Sequence, residues 1–176
     1  MSTVLAIIAT IIVLAIIIIL ILAAMKPDTF RVVRSTSIKA APDNIVPLIS
    51  DFQKWGGWSP YEKMDPAMKR SFSGPASGKG ARYAWESKKA GAGSMEITEV
   101  KPSQVSLKLD FTRPFKANNL VDFTLVPRGD ATEITWDMHG PTPFMGKIMH
   151  VFINMDRMVG KDFEAGLASL KAIAEK

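Results

Sequence analysis

Cysteine is absent from the chain, and histidine occurs only as His139 and His150. The first absence rules out a disulfide framework and a thiol nucleophile, and it suits a reducing compartment. The second restricts any Ser-His-acid site to one of two isolated imidazoles. His139 falls beside Asp137 at the end of an alternating segment, and His150 lies off the neighbouring apolar stripe. Neither has an acid or a second histidine at i, i+3 or i, i+4, so no metal site is expected, and nothing calls for a cofactor. Runs of basic charge are missing too: the lysines are scattered, with only Lys88 and Lys89 adjacent, and no nucleic-acid partner is expected. The pairs Gly78-x-Gly80 and Gly91-x-Gly93 lack the third glycine, or the Gly-Lys-Ser/Thr before a helix, of a phosphate cradle, so they read as turns between strands.

Charge is also absent from Met1 to Met25, and Val4 to Ala24 is an apolar run broken only by Thr10. A helix rises about 1.5 Å per residue and the hydrocarbon core is about 30 Å thick, so this run is long enough to span a bilayer. A threonine hydroxyl in such a helix can return its hydrogen bond to a carbonyl one turn earlier. A secretory signal would have a basic start, a shorter apolar stretch and a small-residue cleavage site, and none of the three fits here. Residues 1–25 therefore read as a transmembrane anchor. Lys26, Arg31 and Arg34 follow the run and nothing basic precedes it except the amino terminus, which predicts a single-pass protein with its globular domain in the cytoplasm. The lipid bilayer is the expected partner. Protein partners are not legible.

The remaining residues, 26–176, are enough for one domain with one core. They hold every charged side chain, so the formal net charge of +5 is theirs, a balance suited to anionic headgroups. Thr29 to Ile38 alternates as a first strand. Ile45, Leu48, Ile49 and Phe52 then mark one face of a short helix, which Pro47 keeps short. After a loop carrying Trp55 and Trp58, six further strands are predicted, beginning near Met68, Ala81, Ser94, Val105, Leu120 and Thr132 and separated by Gly, Pro or Asn turns. Thr142-Pro143 reads as an N-cap and first helical residue, followed by a short helix or bend and a long helix from about Asn154. The sum is α+β, one sheet curved around one helix.

This order of elements, with the segments FQKWGGWSPYEKMDPAMK, GPASGKGARYAW and NMDRMVGKDFEAGLASLKAIAEK, resembles the START-like (SRPBCC) superfamily, in its polyketide cyclase/dehydrase and lipid-transport branch. The resemblance runs from Thr29 to Lys176. It implies a helix-grip fold, about seven antiparallel strands wrapped around the C-terminal helix, with a hydrophobic cavity between them.

Alternation then assigns the residues facing that helix: Tyr83 and Trp85, Met95 and Ile97, Leu107 to Phe111, Val121 to Leu125, and Ile134, Trp136 and Met138. Met155 and Met158 answer from the helix. The expected ligand contacts are Trp58, Tyr83, Trp85, Met95, Phe111, Phe123, Trp136, Met138, Met155 and Met158, a wall that is aromatic and methionine-rich and adaptable to varied apolar shapes. The same residues would also pack a core without any ligand. Trp55 and Trp58 are either a cap over one end of the sheet or a gate at the mouth.

No catalytic residue stands out. Tyr83 is the one inward candidate for an acid or orienting donor, and Glu99 shares a face with Ile97 near a strand end. Three functions follow. The first is a noncatalytic, membrane-anchored binding protein for a lipid, isoprenoid or polyketide-like molecule. The second is a cyclase or dehydratase at the membrane surface. The third is a tethered interaction domain with a filled core.

Overall fold

A computed structural model describes residues 2–176. Helix α1 (Ser2–Ala24) is bare around most of its circumference. Its Thr10 hydroxyl donates to the Ala6 carbonyl at 2.9 Å, so the polar side chain inside the run is satisfied within the helix. Ile19 and Ala23, one turn apart, are the covered positions near its end. There α1 packs against a later helix, α4 (Phe144–Phe152).

Strand β1 (Thr29–Ile38) leads to α2 (Pro42–Ile49), a one-turn helix α3 (Trp55–Trp58) and flanking 3-10 turns at Phe52–Lys54 and Pro60–Lys63. Then come β2 (Lys69–Ser73), β3 (Arg82–Glu86), β4 (Ala92–Lys101), β5 (Gln104–Arg113), β6 (Ala117–Arg128) and β7 (Ala131–Pro141), α4, and the long α5 (Met155–Ala174). The seven strands form one antiparallel sheet in the order β1-β7-β6-β5-β4-β3-β2. Every neighbour is a hairpin partner except β1 and β7, which brings the start of the domain beside its C-terminal elements.

Helix α5 begins where Asn154 accepts a hydrogen bond from the Arg157 amide at 2.9 Å, an ordinary side-chain N-cap. It lies along β1 and against α2 and α3. Arg34 holds it there, through Asp156 at 2.9 Å and Glu164 at 2.7 Å. Gly160 makes room, since a Cβ at that position would collide with the guanidinium.

Two expectations are corrected. Glu99 does not share the face of Ile97: Ile97 pairs with Leu107 but Glu99 pairs with Ser106, so a bulge at Thr98 reverses the alternation. Glu99 turns outward to Lys101, 2.8 Å away, and Val100 packs on the core instead. Thr142 does not cap α4. Its amide extends the β1–β7 ladder by donating to the Asp28 carbonyl at 2.7 Å, and Pro143 takes the N-cap position without a side-chain bond. Of the three cations that follow α1, Arg31 is paired with Asp137 at 2.5 Å and Arg34 with Asp156 and Glu164 of α5.

The middle of the domain is an aromatic stack. Trp136 lies parallel to Phe163 with ring centroids 4.0 Å apart, and Trp58 stands edge-on to Trp136 at 5.6 Å and to Phe123 at 6.1 Å. Trp58 is pinned by its indole N–H, which donates to the Leu48 carbonyl at 3.0 Å. Trp55 does the same toward Ile49 at 2.8 Å. Both tryptophans are fixed core residues of the α2–α3 segment.

Candidate functional site

Burial changes along some inward rows. On β5, Val105 is 0% exposed, Leu107 1%, Leu109 9%, and Phe111 only half-buried. Along β4 it runs from buried Ile97 to half-buried Met95, and along α5 from Leu170 and Leu167 to Met155, whereas Val32 on β1 and Asn119 on β6 stay buried toward the same end. The pairing registers place Phe30, Gly140, Asn119, Leu109, Phe111, Met95 and Trp85 at one end of the sheet. That is the end where α1 joins β1 and where β7 passes into α4. The apolar core is therefore tightest far from α1, and its cover is partial at the end near α1, the open end.

Five of the ten sequence-predicted contacts lie at this open end. Trp85 lies flat over Gly93, where any Cβ would strike its ring, and stands edge-on to Phe111 at 5.5 Å. Met95 and Met155 are half-buried, and Met158 is 49% exposed at the rim. The structure places Trp58, Phe123 and Trp136 in the packed aromatic stack, where they fill the interior, and Met138 beneath the open end. Tyr83 is buried, and its phenol donates to Glu62 at 2.5 Å; the other Glu62 oxygen accepts from Arg70 at 2.6 Å. Burial, then the neighbouring Glu62, pushes the Tyr83 phenol well above its ordinary pKa. Its hydroxyl is thus occupied by a structural partner.

The polar groups of the open end went unseen in the sequence. Asn119 shares the inward face with Val121 and sits over Gly140, which has no side chain to obstruct it. Thr142 follows Gly140 by two residues on the same face. Both are 5% exposed, and Asn119 Oδ1 and Thr142 Oγ1 have no hydrogen-bond partner among the described residues. An unpaired buried polar atom costs about 1–3 kcal/mol, and Trp136 Nε1 in the aromatic stack and Asp137 Oδ1 are in the same condition, so Asn119 and Thr142 stand out by their position near the end of β6 and β7. The sequence reading starts this strand near Leu120 and leaves Asn119 in the preceding turn, whereas β6 begins at Ala117 and turns Asn119 inward.

A second pair flanks the inner face of α5. Burial raises the Asp162 carboxyl above its ordinary pKa, and the half-buried Tyr61 phenol is raised by burial and then by Asp162. A carboxyl whose pKa is higher folded than unfolded binds more protons in the folded state, so stability falls as pH rises from the ordinary aspartate range through the raised value. Asp162→Asn is accordingly expected to melt higher than the parent at neutral pH and to match it below the ordinary aspartate pKa. Equal melting curves across the whole range would show that Asp162 is solvated.

The rim is tied by Asp65. Its carboxylate accepts from the Ser87 hydroxyl at 2.7 Å and from the amides of Ala67 and Lys88, which lowers its pKa and fixes the β3–β4 turn. An open groove of about 970 Å³, lined by Arg31, Lys108, Asp110, Leu120, Asp137 and His139 of the outer face, also reaches Phe30, Asn119 and Gly140. It is shallow and charged on both signs.

A seven-stranded antiparallel sheet gripping a C-terminal helix, closed at one end and apolar and open at the other, defines the helix-grip class. Residues 29–175 match the family described as polyketide cyclase / dehydrase and lipid transport, and the chain belongs to that family. Among solved structures, a protein from Chromobacterium violaceum is 15% identical with a TM-score of 0.60, covering 86% of this chain and 99% of its own. A protein from Thermobifida fusca is 18% identical with a TM-score of 0.60, covering 82% and 92%. DynU16, from the dynemicin biosynthetic locus, is 16% identical with a TM-score of 0.58, covering 86% of this chain and 48% of its own. At such identities the likeness is one of fold. A comparison with curated proteins finds no significant match.

Proposed function

We propose that this protein is a membrane-anchored, noncatalytic receptor for a small apolar molecule, held at the open end of the sheet with its polar end against Asn119 and Thr142. The observation that carries the reading is the burial gradient: apolar side chains lose cover toward the end of the domain that adjoins the membrane-length helix. Exposed apolar surface of this kind is stabilised when covered, by about 25 cal/mol per Å². The neutral amide and hydroxyl suit a hydroxyl, carbonyl or protonated carboxyl group. Lipids, isoprenoids and polyketide-like molecules all join such a group to an apolar body.

Catalysis is the weaker alternative, because the hydroxyl of Tyr83, the one inward candidate for an acid, is taken up by Glu62. The filled-core alternative describes the far half of the domain, around Trp58, Phe123 and Phe163, but not the near half.

Native mass spectrometry of the full chain, released from nanodiscs, is expected to show one retained apolar molecule per chain. A chain that emerges empty, and whose melting temperature is unmoved by fatty acids, isoprenoids and aromatic polyketides, would sink the proposal.

A further inference from the structure

Helix α4 is amphipathic in the reverse of the usual sense. Its polar side turns toward the protein: the Lys147 side chain is 12% exposed and pairs with Asp28 at 2.5 Å, and His150 stands edge-on to Phe30 with centroids 6.3 Å apart. Gly146, on the same side, lies against Thr142. The apolar side turns outward, with Phe144 51%, Met145 57%, Met149 39% and Phe152 67% exposed. At about 100° per residue these four share an arc of about 140°, so they form one continuous face. None of the nine residues of α4 is buried, and none is acidic.

A water-facing helix does not hold two phenylalanines and two methionines outward while turning a lysine inward unless something apolar covers them. Position identifies the cover. Helix α4 packs against α1, whose covered residues, Ile19 and Ala23, lie within its last two turns. The bare apolar face of α4 therefore adjoins the end of the membrane-length helix, and exposed Met25, directly after α1, adds to the same apolar neighbourhood.

We infer that α4 is an interfacial helix that lies in the plane of the bilayer surface, with Phe144, Met145, Met149 and Phe152 among the upper acyl chains. The inference rests on the reading of α1 as a membrane anchor. An interfacial helix of this kind sinks about 5–10 Å into the headgroup and acyl boundary. Because α4 runs directly into α5, whose first turn carries Met155 and Met158, this depth sets the mouth of the binding site at the membrane surface. An apolar molecule can then move between bilayer and site without crossing water.

The absence of cysteine makes every introduced one a unique label. The full chain, reconstituted in vesicles of phosphatidylcholine and phosphatidylglycerol, would carry a nitroxide at Met145→Cys, Phe152→Cys, Ile11→Cys or Asp130→Cys. Ile11 reports on the span, and Asp130 on the turn at the far end of the sheet. The expected result is that the labels at 145, 152 and 11 collide more with oxygen than with a water-soluble nickel chelate, and that the label at 130 does the reverse. If 145 and 152 behave like 130 while 11 stays in hydrocarbon, the interfacial role of α4 is overturned and the anchor stands. If 11 also meets the nickel chelate, both fall. Spin-spin broadening at 152 that disappears on dilution with unlabelled chain would assign the face to a second copy and overturn the inference.

Discussion

Phe163→Ala is expected to lower the unfolding free energy by about 3–5 kcal/mol, the usual cost of removing a buried aromatic ring from a packed interior. The ring is 1% exposed and stacks on Trp136 at 4.0 Å, in the stretch where α5 meets the closed half of the sheet. No neighbour is free to fill the space. Trp58 is pinned to the Leu48 carbonyl, and Gly166 already sits so close to Trp136 that any Cβ there would press on the indole. For a chain of this size each kcal/mol moves the melting temperature by about 2–4 °C, so the effect is measurable by thermal or denaturant unfolding of the full chain in detergent. Phe111→Ala provides the comparison. Its ring is half-buried at the open end, and its removal should cost about 1 kcal/mol, near the average for point substitutions. Equal losses at the two positions would show that the sheet is closed along its whole length.

Asn119→Leu is expected to move stability and binding in opposite directions. The leucine is similar in volume, and it removes an acceptor that has no partner among the described residues. Relieving that buried group should stabilise the ligand-free protein by about 1–3 kcal/mol. The same change deletes the hydrogen bond offered to a ligand's polar end, a net loss of about 0.5–1.5 kcal/mol, or roughly a twofold to thirteenfold weaker affinity. Melting of the delipidated chain gives the first quantity. Titration with the molecule identified by mass spectrometry gives the second. A variant less stable than the parent would mean that Asn119 has a structural partner, and one that binds unchanged would remove it from the site. A gain in stability joined to a loss in binding is the signature of a group kept for function.

The fold was legible in the sequence because period and punctuation agree. The alternation of Thr29 to Ile38 predicts β1 with the bounds found, the turn residues separate the remaining strands, and Asn154 caps α5 where the helical spacing begins. The inward rows were legible for the same reason, except where Thr98 inserts one extra residue, which no local pattern in β4 announces. Thr142 misled because its composition suits a helix cap while its amide serves the β1–β7 ladder, a contact more than a hundred residues away along the chain.

The site was legible only as a face. Sequence placed Trp58, Phe123 and Trp136 on the same footing as Trp85, Met95 and Phe111, since alternation distinguishes inside from outside but not filled from open. That difference depends on where α5 lies along β1 and on how far the α2–α3 segment reaches, both tertiary facts. The reversed faces of α4 were hidden for a related reason. A stripe of Met145, Met149 and Phe152 has the same spacing whether it meets a core or a membrane.

Between Ala24 of α1 and Thr29 of β1 there are four residues, Met25 to Asp28, and the last of them is held on both sides, by the Thr142 amide and by Lys147. Four residues reach at most about 14 Å even when fully stretched. A domain so mounted has no swing arm. In the membrane-anchored state proposed above it diffuses in two dimensions at a fixed height, so whatever delivers or removes its cargo must share its leaflet or dock within that narrow layer.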